Sequence, residues 1–449
     1  MKLGWVDYSG PESDFAQSVL SALEGKGAID RLGAGVLRDA ISDRLFPTTS
    51  TLHNHARYLF LISYDLKDLE RRASNGDTGK LSDAQKLNPR NLRRFYEKEC
   101  LALEKECAKR LAKNDDAGTM GIHGLDMVDS NRWLKQRPVN IYWAAIRDLR
   151  LYDQSVGGGT ITDYMNYLSI KAQAARVIME GGNVQDADNV LEAESIKRET
   201  CWQALPSHKA NPNSLNLTLE EADLLKSRIT ETYPKSLYAY LINADDCDRI
   251  LQTLFATNGN QNPNAIELVS MAASEYAPNE PFTRELQLAT SFSFFIQGCY
   301  IRFNRRALEL AGHDTARADI KWKEFIEDGN ATKATMFNIS EDLLPCFGLS
   351  AKTSEAVADL ERFCSVAMIS MSKCAEDSDD VTAQHDLDEA IEDQEHRKKG
   401  SLSILAYLNR GTRSFSENDR QNETLMDYRL GIGRTMVDDI RNGLRSGNE

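Results

Sequence analysis

Apolar residues recur at intervals of three and four along most of this chain, the period of a helix with one buried face. The cleanest run lies between Thr283 and Ala311, where Ala289, Phe292, Ile296, Cys299, Phe303, Ala307 and Leu310 share a stripe. Its middle is apolar nearly all round, which predicts the buried central helix of the second half, closed by Gly312. Tyr58, Leu59, Ile62, Leu66 and Leu69 predict a helix within residues 51–72. Further helices are expected over 91–113, from Pro138 to about 150, over 162–178, at 360–373 and near 434–444. Thr218 and Glu221 have the spacing of a capping box, so another helix starts there. At the N-terminus, Lys2–Tyr8 alternates like a short strand, and Phe15, Val19, Leu20 and Leu23 form a helical stripe. Strand patterns are otherwise sparse.

The expected fold is mainly α and multi-helical, and 449 residues exceed what one core usually serves. Residues 180–216 are rich in Asn, Glu, Ser and Pro and read as a linker. The expected division is a helical domain over 1–178, a linker over 179–216 and a second helical domain over 217–449.

Charge singles out one region. The net charge is −14, which disfavours non-specific coating of nucleic acid, yet residues 89–150 hold thirteen Lys and Arg against nine Asp and Glu. Within this region residues 118–152 combine spaced glycines (Gly118, Gly121, Gly124), Trp133, Trp143 and a Pro-initiated amphipathic helix. Its polar face is expected to present Asn140, Trp143, Arg147 and Arg150, with Arg132, Lys135 and Arg137 just before it. A basic helix entered through a turn is what a helix-turn-helix or winged-helix-like module offers a DNA groove. Those seven residues are the candidate nucleic-acid contacts. The bland alternative makes both tryptophans core and pairs the arginines with nearby aspartates. Residues 90–113 read as a solvated helix of intermixed charge, and the acidic run 376–395 as a solvated face or loop.

Catalytic motifs are not found. Gly76–Lys80 lacks the spacing and the Ser/Thr of a phosphate-binding loop, and the Gly118 series is not a dinucleotide fingerprint. His53 and His55 do not share a helical face, and His385 and His396 sit among carboxylates without a ligand spacing. The eight cysteines form no CxxC pair, and several fall in apolar stripes as small core residues of a reducing compartment. No apolar stretch reaches the ~20 residues of a membrane span, and the first residues have no signal-peptide pattern, so a cytoplasmic protein without a membrane partner is expected. No cofactor or metal is expected.

The run LGWVDYS at 3–9, RLGAGVLRDAISDRLFPTTST at 31–51 and ARYLFLI at 56–62 resembles a bacterial family of uncharacterised proteins. The similarity continues through WLKQRPVNIYWAAIRDL, residues 294–304 and the tail MDYRLGIGRTMVDDIRNGL. The chain departs from that family in a longer acidic insert around 376–395. The family occurs in phage-defence and mobile-element gene clusters, near helicases and phospholipase D-like nucleases. The resemblance implies an accessory subunit of an antiviral assembly and brings no functional residues. Three readings follow: a non-enzymatic subunit binding such a partner and DNA, a metal-dependent nuclease using carboxylates such as Asp39, Asp43 and Asp65, or an adaptor docking a basic partner on its acidic surface.

Overall fold

A computed structural model describes residues 30–446 apart from 87, 114–120, 128–132, 180–194, 197–198, 207–212, 258–261, 413 and 417–418. The strand expected at Lys2–Tyr8 and the stripe from Phe15 to Leu23 lie outside the described residues. Among those described, every regular element is helical and none is a strand, so a wing has no counterpart there. The main helices are α1 (Gly35–Leu45), α2 (Tyr58–Ser74), α3 (Pro89–Ala112), α4 (Pro138–Asp148), α5 (Ile161–Met179), α6 (Leu219–Thr232), α7 (Ala265–Tyr276), α8 (Pro281–Leu310), α9 (Ala316–Glu327), α10 (Glu355–Glu376), α11 (Val381–Lys399) and α12 (Leu430–Arg445).

Local chemistry sets several of these ends. Thr218 accepts from the Glu221 N–H while Glu221 reaches back to the Thr218 N–H, the predicted capping box. Pro138 takes the first turn of α4. At the end of α8, Gly312 adopts φ 70°, its N–H bonds Glu309 and the His313 N–H bonds Leu308, a Schellman closure. α2 starts seven residues later than residue 51: the lead-in is tied to α4, with the Asn54 N–H donating to the Tyr142 hydroxyl and His53 stacked on the Tyr142 ring at 4.2 Å.

The chain forms two compact units, each assembled from separated stretches. The first comprises residues 1–47, 235–237 and 244–431. α8 runs through it buried on nearly all sides, with Phe292, Phe295, Phe337 and Phe363 in ring contact. Arg302 on α8 is 2% exposed, grips Asp388 through two nitrogens (2.8 and 2.6 Å) and lies over the Trp322 ring. Arg31 pairs likewise with the fully buried Glu395. The acidic run 376–395 is therefore not simply a solvated face. α11 turns Asp388 and Glu395 inward to buried arginines and leaves His385 and His396 at the surface.

The second unit comprises residues 48–234, 238–243 and 432–449. α2, α3, α4 and α5 pack around an aromatic cluster of Trp143, Tyr152, Tyr164, Tyr167 and Trp202. Beside it the buried Lys171 ammonium donates to Glu70 (2.8 Å), to Tyr167 (2.9 Å) and to the Glu199 carbonyl. Trp202 falls inside the stretch read as a linker. The structure describes only part of that stretch, and there Trp202 is fully buried, its indole N–H donating to the Tyr164 hydroxyl.

Candidate nucleic-acid interface

α4 does not present the expected face. Trp143 is 7% exposed; its indole N–H donates to the Gly159 carbonyl at 3.1 Å and its ring meets Tyr152 at 4.7 Å. Arg137 is held by Glu104, which accepts from its Nε at 2.7 Å and from the Val139 N–H at 3.0 Å. One carboxylate of α3 thus fixes a guanidinium and also caps the first turn of α4, where unpaired N–H groups favour negative charge. Arg147 donates to Asp148 at 2.9 Å and reaches the Gly159 carbonyl. Lys135, Asn140 and Arg150 remain exposed, the last at φ 54°. Arg132 lies outside the described residues, as does Gly118. The turn after it is packed: a Cβ on Gly121 would strike the His55 ring at 2.7 Å, and one on Gly124 the Trp133 ring at 2.6 Å.

α3 offers the more coherent surface. Its buried side is Leu92, Tyr96, Cys100, Glu104, Cys107, Ala108 and Leu111. At ~100° per residue, Arg90, Arg94, Lys98, Lys105, Lys109 and the capping residue Lys113 fall within an arc of about 140° on the other side. Five of them are exposed, and Lys105 is partly covered, its ammonium 5.6 Å from the Trp133 ring centre. The stripe is ~35 Å long at ~1.5 Å per residue, close to one turn of duplex DNA.

The acidic residues of α3 are spent elsewhere. Glu97 pairs with Arg93, Glu99 with Arg72 at 2.7 Å and Glu104 with Arg137. Only Glu106 stays exposed, at the edge of the arc. No described side chain forms an ion pair with Arg90, Arg94 or Lys98. The helix is thus sorted by sign, not intermixed, and Arg90, Arg94 and Lys98 can follow a polyanion without first breaking an ion pair to a described residue. A helical projection of 90–113 would have displayed this stripe; the count of charges alone concealed it.

Other residues weighed from the sequence are placed as follows. Asp39 pairs with Arg38 and Asp43 with Arg429, both within the first unit, while Asp65 is in the second. Among the described residues no three His, Cys, Asp or Glu side chains gather as a metal site, and no helix is long and apolar enough to cross a membrane. Cys100 and Cys107 are buried, and burial pushes both thiols up to about 12. At neutral pH they are not thiolates.

The comparisons with known proteins bear on this part of the chain. Residues 1–173 match the model described as a Family of unknown function (DUF6361). That stretch includes α1 to α4 and most of α5, and so the whole basic stripe, and it supports an uncharacterised family for the N-terminal part. No curated protein and no solved structure matches the chain.

Proposed function

We propose that this protein is a non-enzymatic accessory subunit that holds nucleic acid along the exposed side of α3. One observation supports the reading above the rest: six cations line one arc of that helix, while three of its four acidic residues are paired to arginines off that arc. The expected contacts on α4 shrink to Lys135, Asn140 and Arg150, which act at most beside the stripe. In a chain of net charge −14 such a segregated surface selects a polyanion locally, while the acidic remainder discourages coating. The resemblance to families of phage-defence clusters suggests the setting: a bacterial antiviral assembly in which a helicase or nuclease does the chemistry.

The test is fluorescence anisotropy with duplex and single-stranded oligonucleotides across a salt series. Wild type should bind with a log–log salt slope of several units, each phosphate contact on duplex DNA contributing about 0.9. Reversing Arg90, Arg94 and Lys98 to Glu together should flatten the slope by about three such contacts. Wild type that fails to bind at low salt, or a triple variant with an unchanged slope, rejects the nucleic-acid role. Co-purification with the products of neighbouring genes tests the partner.

A further inference from the structure

The cations of α3 are not evenly spread. Arg90, Arg94 and Lys98 follow one another at intervals of four, and so do Lys105, Lys109 and Lys113. Each group therefore covers ~12 Å of the helix at ~1.5 Å per residue, and ~10.5 Å separates Lys98 from Lys105. At ~100° per residue, Leu101 and Ala102 fall on the same arc inside that interval. Neither has a charge or a side-chain hydrogen-bonding group, and Ala102 is exposed. The opposite side of the helix packs on α2 and α5.

We infer that α3 crosses the major groove of B-form duplex DNA and bridges its two backbones, one cation group on each, without reading sequence. The inference rests on the nucleic-acid role of α3 and names its substrate. A neutral interval of ~10.5 Å is close to the ~12 Å width of that groove. The two groups meet the phosphates at its rims while Leu101 and Ala102 lie over the opening. Base edges in the groove are read chiefly by hydrogen bonds, and neither side chain can make one. Affinity then comes from phosphate contacts, which are the same for every sequence.

A single strand is the poorer fit. Its phosphates form one continuous line, which would leave the middle of the helix without a counter-charge. Binding of single strands without sequence preference also relies on aromatic side chains on which bases stack. The two aromatic residues at the arc, Phe95 and Trp133, are not exposed. Phe95 stands edge-on to Tyr96, with ring centres 5.1 Å apart, and packs on Gly79, while the Lys105 ammonium lies over the Trp133 ring. An RNA duplex is disfavoured for another reason. Its major groove is too narrow for the interval, and its wide minor groove is lined by 2′-hydroxyl groups that Leu101 and Ala102 cannot bond.

The test is fluorescence anisotropy of the full chain, at one salt concentration, on two DNA duplexes of unrelated sequence, on their separate strands and on an RNA duplex. The two DNA duplexes should bind within about twofold of each other, and about tenfold tighter than the single strands or the RNA. Reversing the exposed pair Lys109 and Lys113 to Glu should weaken duplex binding about as much as reversing Arg90 and Arg94, because each group holds one backbone. Ala102→Glu, placed over the open groove, should cost much less than Lys98→Glu. Circular dichroism checks that each variant is folded. Single strands or an RNA duplex that bind as tightly as DNA duplex overturn the bridging inference and leave α3 as a nucleic-acid surface. So do a strong sequence preference, an effect confined to one cation group, or an Ala102→Glu loss equal to that of Lys98→Glu. Wild type that binds no nucleic acid overturns both the inference and the role it rests on.

Discussion

α3 is rich in Lys and Arg, and α4 carries Arg147 between the flanking Arg137 and Arg150; both helices pack in the second unit, yet their cations do opposite work. On α4 the aromatic residue and the nearest guanidiniums are drawn inward. Trp143 fills the aromatic cluster, Arg137 is tied to Glu104, and Arg147 is shared between Asp148 and a backbone carbonyl. On α3 the acidic residues are drawn off instead and the cations left facing water. Residue type was a poor guide to which helix offers a surface. What decided it was the neighbours available to each side chain: α4 starts against a buried carboxylate, whereas the outer side of α3 meets no acidic partner among the described residues along Arg90, Arg94 and Lys98.

The comparison breaks most visibly at Trp143. Trp143→Ala should cost about 3–5 kcal/mol in chemical denaturation, as deletion of a buried indole does, with nucleic-acid affinity of the folded fraction unchanged. A stable variant with lost affinity would restore α4 as the contact helix. The Arg90→Glu, Arg94→Glu and Lys98→Glu combination should do the reverse. Affinity should drop about a hundredfold at low salt, roughly 2.8 kcal/mol, while each change alters stability by no more than about 0.5 kcal/mol.

A pH series sharpens the contrast between the two sides of α3. The Asp65 carboxyl is raised to about 7, so its ionisation opposes folding. Its favourable contribution is complete below the unfolded value of about 3.9, declines as pH rises and is lost by about 7. His123, lowered to about 4, acts with the opposite sign: its contribution is complete above about 6.5 and is lost as pH falls to about 4. The two slopes oppose each other between about pH 4 and 6.5. Asp65→Asn should gain stability relative to wild type as pH rises through that window, and His123→Gln should gain as pH falls, each by up to ~1.4 kcal/mol per pH unit. Parallel stability curves for all three proteins would show that neither group feels the burial described. The smallest effect is expected from Arg147→Ala with Arg150→Ala, a loss of less than about threefold in affinity, since one guanidinium is already engaged and the other stands alone.

Much of the local architecture was readable in advance because it depends on neighbours in sequence. The capping box at Thr218, the proline start of α4, the glycine closure after Leu310 and the apolar stripe of α8 all follow from interactions within about four residues. The mainly α, multi-helical fold is the sum of such signals. The helical period also fixed the sorting of cations on α3, although it takes a projection and not a composition count to reveal it.

Tertiary structure alone decided which stretches share a core and which charges are left over. Residues 30–47 fold with 244–431, and a carboxylate of the acidic run closes on Arg31 more than 300 residues earlier. Nothing periodic in the chain specifies such a pairing, because a charge's exposure is set by what packs against it. The same holds for Asp65 and His123, which no sequence pattern singles out and which become chemically distinct only when α2, α3 and the turn at 121–127 exclude water from around them. Desolvation is a property of the assembled unit, and the free energy that shifts those two groups is created only when that unit forms.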